Sequence, residues 1–300
     1  MSTSIDLHMH STFSDGSLSP EQIIDKAKQN GVKILSITDH DTLQAYSKEL
    51  FDFATKKGIT LISGVEISTK LNKAGIHVLG YNFNLDDKNF KCELKKLRES
   101  RHTYLLDVSK KLEEIGYVIQ TEKLNEIDAV TKAHIALDVI TNEKNKKLLE
   151  QSFGHIPTKG EFIESIMNEG CPAFVEKHSI TPIEASNLIK NAGGKVVLAH
   201  PVVYQYEDGI NLNQIKELIS KMQPDGLESN YIYVNRENKI FDEIEIWNNV
   251  AKEFNLTSTI GSDFHISDGI RPEIGFSNFN TSINEDEIIK ILKFLNVKKI

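Results

Sequence analysis

Nine residues of this 300-residue chain carry nitrogen or oxygen donors suited to divalent cations and stand at or beside the ends of short apolar runs. They are His8, His10, Asp15, His40, Glu66, His77, His200, Asp263 and His265. Six of the ten histidines belong to the set, although it is scattered from residue 8 to residue 265. It contains no cysteine, so it suits manganese, iron or zinc better than a soft metal, and so many imidazoles make magnesium a poorer fit. Clustered divalent ions lower the pKa of a bound water, supply hydroxide and stabilise attacking and leaving oxygens together. Phosphate ester hydrolysis, among the slowest uncatalysed reactions, needs that degree of charge stabilisation.

The local patterns differ in what they say alone. His8-Met9-His10 puts two imidazoles on one side of an extended segment, because side chains alternate with period two. The turn Ser14-Asp15-Gly16 can fold a carboxylate back toward them, and Asp263-Phe264-His265 mirrors the first pair. His40 follows an apolar strand in Thr38-Asp39-His40-Asp41, where Asp39 or Asp41 reads as a helix cap in a solvated loop. Glu66 ends a buried run, where an unpaired carboxylate is costly, and one carboxylate can bridge two cations. His77, inside Ile76-His77-Val78-Leu79, reads as structural on its own and joins the set through its company. Pro201 ends the strand before His200 and leaves that imidazole at its exit. Glu228 reads either as an acid orienting a ligand imidazole or as half of a salt bridge.

The elements that must position these groups alternate strand and helix. Residues 4–7, 34–38, 61–65, 195–199 and 257–261 are short and rich in β-branched side chains, the pattern of buried parallel strands. In a β/α barrel the C-terminal ends of such strands face one pocket. Ser19-Pro20-Glu21-Gln22 and Thr181-Pro182-Ile183-Glu184 are helix starts with a capping box and Pro at the first position. Helices are expected over 43–57, ending at Gly58, and over 211–222 and 236–254. Gly75–Tyr81 and Gly226–Glu228 are further strands.

Residues 88–170 lack convincing strands and read as a helical insertion. Leu94, Leu97, Leu105, Val108, Leu112 and Ile115 form a helical stripe that stops at Gly116. Shorter helices are expected over 122–129, 133–141 and 159–168. The division is therefore 1–87 for the first part of the α/β body, 88–178 for the insertion and 179–300 for the second part.

Composition bounds the rest. A chain of 300 residues buries roughly 75% of its unfolded surface. No apolar stretch approaches a membrane span, and the N-terminus lacks the regions of a signal peptide. Cys92 and Cys171 are the only cysteines, which points to a reducing cytoplasm. A formal charge of −8 argues against broad nucleic-acid binding through phosphate neutralisation. No Gly-rich phosphate loop, nucleophile elbow or dinucleotide fingerprint appears.

The chain resembles the PHP (polymerase and histidinol phosphatase) domain phosphoesterases. The matching segments are Asp6-Leu7-His8-Met9-His10-Ser11, Ser14-Asp15-Gly16, Ile37-Thr38-Asp39-His40-Asp41, Gly64-Val65-Glu66, His77-Val78-Leu79-Gly80-Tyr81, Ala199-His200-Pro201 and Gly261-Ser262-Asp263-Phe264-His265. The resemblance implies a distorted (β/α)7 TIM-like barrel with a trinuclear, manganese-type site. One metal would take His8, His10, Glu66 and Asp263; the second Glu66, His77 and His200; the third Asp15, His40 and His265. Three such ions against Asp15, Glu66 and Asp263 would leave the pocket net positive, so it could attract phosphate within an acidic protein.

Within the family the insertion resembles the branch that cleaves nucleoside 3′,5′-bisphosphates and in some members trims RNA from the 5′ end. Leu97-Arg98-Glu99-Ser100-Arg101, Ala133-His134-Ile135-Ala136 and Cys171-Pro172-Ala173-Phe174-Val175 carry that likeness. Where relatives often have Arg-Pro-His, this chain has Lys132-Ala133-His134, which keeps a charge but a less directional donor. The insertion would act as a substrate cap, with Arg101, His134, Lys177 and Arg98 as phosphate-recognition candidates. Solvated helix faces are the alternative for the Arg and Lys residues.

The expected reaction is hydrolysis of a small nucleotide phosphomonoester, foremost the 3′-phosphate of adenosine 3′,5′-bisphosphate, by metal-activated hydroxide. Glu66 would bridge metals, and Asp263 or His265 would assist proton transfer. The alternatives are a 5′→3′ exoribonuclease on short RNA, a histidinol-phosphate phosphatase and a non-catalytic metal-binding module. The expected partner is thus a small phosphorylated nucleotide or short RNA, with no membrane and no broad nucleic-acid surface.

Overall fold

The computed structural model describes residues 5–176, 179–235, 237–276, 279 and 283–297. The chain divides into two compact units, Met1–Cys92 with Ile180–Ile300, and Glu93–Ser179.

The first unit is built on a seven-stranded sheet. Its strands, in chain order, are β1 (Ile5–Asp6), β2 (Ile34–Ile37), β3 (Thr60–Leu71), β4 (Ala74–Tyr81), β5 (Lys195–Leu198) and β6 (Gly226–Asn230). A separate hairpin, β7 (Ile232–Val234) and β8 (Ile240–Asp242), precedes the last strand of the sheet, β9 (Thr257–Ile260). The spatial order is β1-β2-β3-β4-β5-β6-β9. Leu7 N–H donates to Ile260 O, and Met9 bridges Phe264 in parallel, so the outer strands meet and the sheet nearly closes on itself. A nearly closed barrel ringed by helices is the expected fold class.

The distortion has one cause. β3 and β4 are joined by a tight turn, Leu71 opposite Ala74, with no helix between them. β4 therefore runs antiparallel to both neighbours, while the other pairs in the sheet are parallel. The start of β4 thus lies at the end where the parallel strands finish. Short, nearly continuous apolar strands suit a sheet covered on both faces. Ile5, Leu7, Ile34, Ile62, Leu79, Val197 and Ile260 pack into one buried cluster, and Ile23, Ile24, Leu35, Ile37 and Leu50 into another.

Helix starts follow the sequence signals. Ser19 caps Pro20–Gln29 and Thr181 caps Pro182–Asn191, each with the reciprocal capping box. Three expected helices are shorter than the pattern suggested, and the one expected over 122–129 stops at Leu124. The one expected over 43–57 spans Lys48–Lys57, capped by Ser47. Residues 43–47 serve instead to bring in Tyr46, whose hydroxyl accepts from the N–H groups of Ile37 (3.1 Å) and Gly64 (2.7 Å) and lies 2.9 Å from the Ile62 carbonyl. The helix expected over 236–254 spans Ile244–Glu253. Ile240–Asp242 is a strand, because Tyr233 stands opposite Phe241 in the hairpin and cross-strand aromatic pairs favour that pairing.

The second unit is helical among its described residues. The helix Lys88–Glu114, which begins in the first unit, ends before Gly116, whose φ is 93°. Leu105, Val108 and Leu112 lie fully buried on it, against Ile135, Val139, Leu149 and Phe162. The short helices are Thr121–Leu124, Lys132–Thr141 and Lys159–Phe162, the last continued by a wider turn over Ile163–Met167. A further helix, Lys146–Phe153, carried no sequence signal that singled it out.

Removing the Tyr46 hydroxyl tests the pin between β2 and β3. Tyr46→Phe deprives two buried backbone donors of their acceptor and is expected to cost about 1–3 kcal/mol, measured by denaturant unfolding; unchanged stability would refute that role.

Candidate metal centre

The nine potential ligands converge where the parallel strands end. His8 and His10 leave β1 on the same side, with Nε2 atoms 3.3 Å apart. His40 follows β2 and pairs with Glu66 of β3. His77 reaches this end because β4 is reversed, lying opposite Ser68 and accepting at its carbonyl from Ala199 N–H beside His200. Asp263 and His265 follow β9. Asp263 sits at φ 52°, an uncommon conformation for a residue other than Gly or Asn that gathers at functional sites.

Glu66 is the hub. It is 1% exposed. Its Oε2 lies 3.1 Å from His10 Nε2, 3.2 Å from His40 Nδ1 and 3.4 Å from His8 Nε2. Its Oε1 lies 2.8 Å from His77 Nδ1 and 3.2 Å from His200 Nε2. Asp263 Oδ1 is 3.3 Å from both His8 Nε2 and His10 Nε2. Asp15 Oδ1 is 3.4 Å from His265 Nε2, and its Oδ2 is 3.8 Å from His40 Nε2.

Three groups have donor atoms within 4.8 Å of one another, the spacing of ligands around a cation: His8, His10, Glu66 and Asp263; His10, Asp15, His40 and His265; His40, Glu66 and His77. The first is the set the resemblance implied. The other two differ by sharing His10 and His40, while His200 meets Glu66 Oε1, the oxygen that His77 also meets.

The donor chemistry fits divalent ions. Glu66 Oε2 and Asp15 Oδ1 are buried without a directional hydrogen bond, a costly state for carboxylate oxygens unless a cation takes them. Nitrogen orientation points the same way. His8 Nδ1 is held by both oxygens of Glu228 at 3.0 and 3.1 Å. His10 Nδ1 meets the Ser14 hydroxyl at 3.3 Å, and that hydroxyl donates to Asp39, so His10 must donate to it. His265 Nδ1 donates to the Asp263 carbonyl at 2.8 Å. Each arrangement leaves an Nε2 lone pair facing the cluster, as a ligand imidazole requires.

The electrostatics show the same appetite for positive charge. Burial pushes His10 down, yet Asp263, Glu66 and Asp15 outweigh it and lift the imidazole to about 10. Burial also opposes charge on His8, but Glu228, Glu66 and Asp263 hold it well above its ordinary value. Burial would raise Asp15 and Glu66; the surrounding imidazoles hold both well below the usual carboxylate range. His40 goes the other way, pushed by burial to about 3.

Supporting residues complete the frame. Glu228 also accepts from His200 N–H at 2.8 Å, and its contact with His8 Nδ1 serves both as an orienting bond and as an ion pair. Asp39 and Asp41 correct the expectation of a solvated, helix-capping loop. Both are 1% exposed. Asp39 accepts from Ser11 N–H, the Ser11 hydroxyl and the Ser14 hydroxyl, and Asp41 accepts from Ser68 N–H. Asp6 was missed: buried in β1, it accepts from His8, Ser262 and Gly275 N–H groups. Its signal was available, as an acid inside an apolar strand. Tyr231 was also missed; its hydroxyl donates to Asp263 Oδ2 at 3.2 Å.

The phosphate-recognition candidates lie in the helical unit. Arg101 is 4% exposed and donates from Nη1 to the Val130 carbonyl at 3.2 Å. Arg98 Nε pairs with Asp128 Oδ2 at 2.8 Å. Neither stands on a solvated helix face. His134 Nδ1 accepts from Thr131 N–H at the start of Lys132–Thr141. Lys177 lies outside the described residues.

Residues 6–189 match the PHP domain family. The chain belongs to the PHP family. It is 30% identical over 272 residues to a 5′-3′ exoribonuclease of Haemophilus influenzae, covering 90% of this chain and 92% of the relative. It is 26% identical over 265 residues to a 3′,5′-nucleoside bisphosphate phosphatase of Chromobacterium violaceum, covering 87% of each. A solved Bifidobacterium adolescentis protein, a candidate metal-dependent phosphoesterase, shares the fold with a TM-score of 0.76 at 20% identity, covering 97% of this chain and 96% of that one. The exoribonuclease and the bisphosphate phosphatase are relatives of the branch the insertion suggested. This PHP protein is an enzyme, a metal-dependent phosphoesterase. Among the described residues no helix is long and apolar enough to cross a membrane.

Close packing at the Asp263 strand supplies a test. A Cβ on Gly261 would lie 2.1 Å from Glu228 Oε1 and 2.3 Å from His8 Cβ, whereas one on Gly75 meets nothing within 4 Å. Gly261→Ala is expected to lower bound metal by at least one ion per chain while Gly75→Ala keeps the full complement, read by elemental analysis after dialysis. Equal metal content in both would show that His8 and Glu228 are not held this tightly.

Proposed function

We propose that this phosphoesterase removes a phosphate monoester from a small nucleotide, foremost the 3′-phosphate of adenosine 3′,5′-bisphosphate. The observation that carries the reading is the buried Glu66 carboxylate, encircled by five imidazole nitrogens at 2.8–3.4 Å. His8, His10, Asp15, His40, Glu66, His77, His200, Asp263 and His265 would hold three divalent ions, manganese foremost, with iron and zinc as alternatives. Such ions lower the pKa of water and neutralise phosphoryl oxygens.

The chain's own residues do the rest. Glu66 joins the ligand groups through its two oxygens. Glu228 and the Ser14–Asp39 pair fix the tautomers of His8 and His10. Tyr231 holds one oxygen of Asp263 and so leaves Oδ1 toward His8 and His10. Asp263 and His265, at 20% and 32% side-chain exposure the more open members of their groups, are placed to assist proton transfer. Arg101, His134, Lys177 and Arg98 are the phosphate-recognition residues of this reading. Free thiols at Cys92 and Cys171 support a cytoplasmic setting.

A second reading, 5′→3′ hydrolysis of short RNA, is favoured by the exoribonuclease name of the 30% identical relative. A panel of adenosine 3′,5′-bisphosphate, a 5′-phosphorylated oligoribonucleotide and histidinol phosphate, each with manganese, iron or zinc, separates the readings. Fastest kcat/KM on the bisphosphate is expected; fastest turnover of histidinol phosphate would overturn the nucleotide assignment.

Two substitutions test the residue roles. Glu66→Gln is expected to reduce kcat by orders of magnitude together with metal content, and full turnover would refute the bridging role. Arg101→Ala is expected to lower kcat/KM on phosphorylated nucleotides about tenfold or more, in keeping with the loss of a charge-assisted contact. An unaltered value would make Arg101 a structural residue, as its bond to the Val130 carbonyl also allows.

A further inference from the structure

Beyond the metal ligands, an aromatic row leaves the same end of the barrel. It starts at Tyr231, whose hydroxyl touches Asp263 and whose ring centroid lies 5.4 Å from that of His200. Tyr233 follows two residues later along the extended chain, roughly 7 Å on. Its ring stacks on Phe241 across the β7–β8 hairpin at 5.7 Å, and Phe241 lies 3.9 Å from Tyr206. Tyr206 stands on the helix Pro201–Glu207, directly after His200. Tyr231 and Tyr233 are buried, at 8% and 7% exposure, and the outermost ring, Tyr206, is 47% exposed.

These rings are held in place. Tyr206 donates to Glu243 Oε1 at 2.6 Å, and Tyr233 donates to Glu207 Oε1 at 2.7 Å. Donation to a carboxylate enriches the ring in electron density, which favours stacking with electron-poor heteroaromatic rings. The Lys239 ammonium sits 4.9 Å over Phe241 and supplies positive charge at the rim. Aromatic platforms beside a cation are a recurrent way to bind single-stranded nucleic acid.

We propose that Tyr206 and Phe241 form a stacking platform for a nucleobase of short single-stranded RNA entering the metal centre. The proposal rests on the nucleotide reading above and extends it to a substrate longer than one nucleotide. A base next to the reacting phosphate falls beside Tyr231; the following base reaches the outer rings. Lys239, which closes the turn of the hairpin opposite Asn235, then faces the phosphate on the outer side of that second base.

The test uses the whole protein and two readouts. A fluorescently labelled, 5′-phosphorylated pentaribonucleotide is titrated into protein kept in EDTA, and turnover is measured separately with manganese. Tyr206→Ala is expected to weaken RNA binding and raise KM for the RNA about tenfold, with kcat and the turnover of adenosine 3′,5′-bisphosphate unchanged. Tyr206→Phe keeps the ring but loses the Glu243 bond, and its RNA affinity is expected to fall between those of the parent and Tyr206→Ala. Equal RNA affinity for parent and Tyr206→Ala overturns the platform, as does equal loss on RNA and bisphosphate, which marks a general structural defect. If the parent hydrolyses no nucleotide, the nucleotide reading fails, while the binding titration in EDTA still decides the platform by itself.

Discussion

A carboxylate buried among imidazoles is unstable in isolation, and the rest of the barrel is arranged around making it tolerable. Glu66 has lost nearly all contact with water, and desolvating a lone carboxylate costs several kcal/mol. Its neighbours are nitrogens rather than ammonium or guanidinium groups, so compensation has to come from protons or metal ions shared among them. Where protons serve, the lifted His8 and His10 show the strength of the demand. Divalent ions meet the same demand with more charge and with fixed geometry.

That demand explains the tight backbone around the site. Gly261 and Gly16 leave no room for a side chain: a Cβ on Gly16 would lie 1.9 Å from the His10 carbonyl oxygen. Asp6 ties the neighbouring His8 N–H to the distant Ser262 and Gly275 N–H groups in one buried knot. Glu228 and Asp39 each fix a histidine while satisfying backbone or hydroxyl donors nearby. The ligand geometry is thus prepaid by hydrogen bonds made on folding, the condition under which metal sites bind tightly and select their ions.

Much of this was legible from residue order. The strands that end in ligands are short β-branched runs, and a strand end followed at once by His, Asp or Glu is readable without coordinates. Capping boxes at Ser19 and Thr181 marked helix starts because their signals are local. Helix 43–57 was read too long because nothing local says that Tyr46 must reach the backbone of two strands. Ile240–Asp242 reads as helix in sequence because the Tyr233–Phe241 pairing that makes it a strand joins positions eight apart. Asp39 reads as a solvated cap in sequence because its partners Ser11 and Ser14 lie a full strand away.

Sequence alone determined which donors exist, their chemical type and the strand ends that carry them, since these follow from residue identity and side-chain period. It also determined membership of the PHP family, because the motifs occur in order along most of the chain. Only the tertiary structure decided how the donors are shared. His10 and His40 each serve two groups, and Glu66 meets five imidazoles. His77 enters because β4 is reversed by a turn at Asn72 and Lys73. Such sharing depends on distances between segments as much as 255 residues apart, as between His8 and Asp263, and packing, not local propensity, sets those distances.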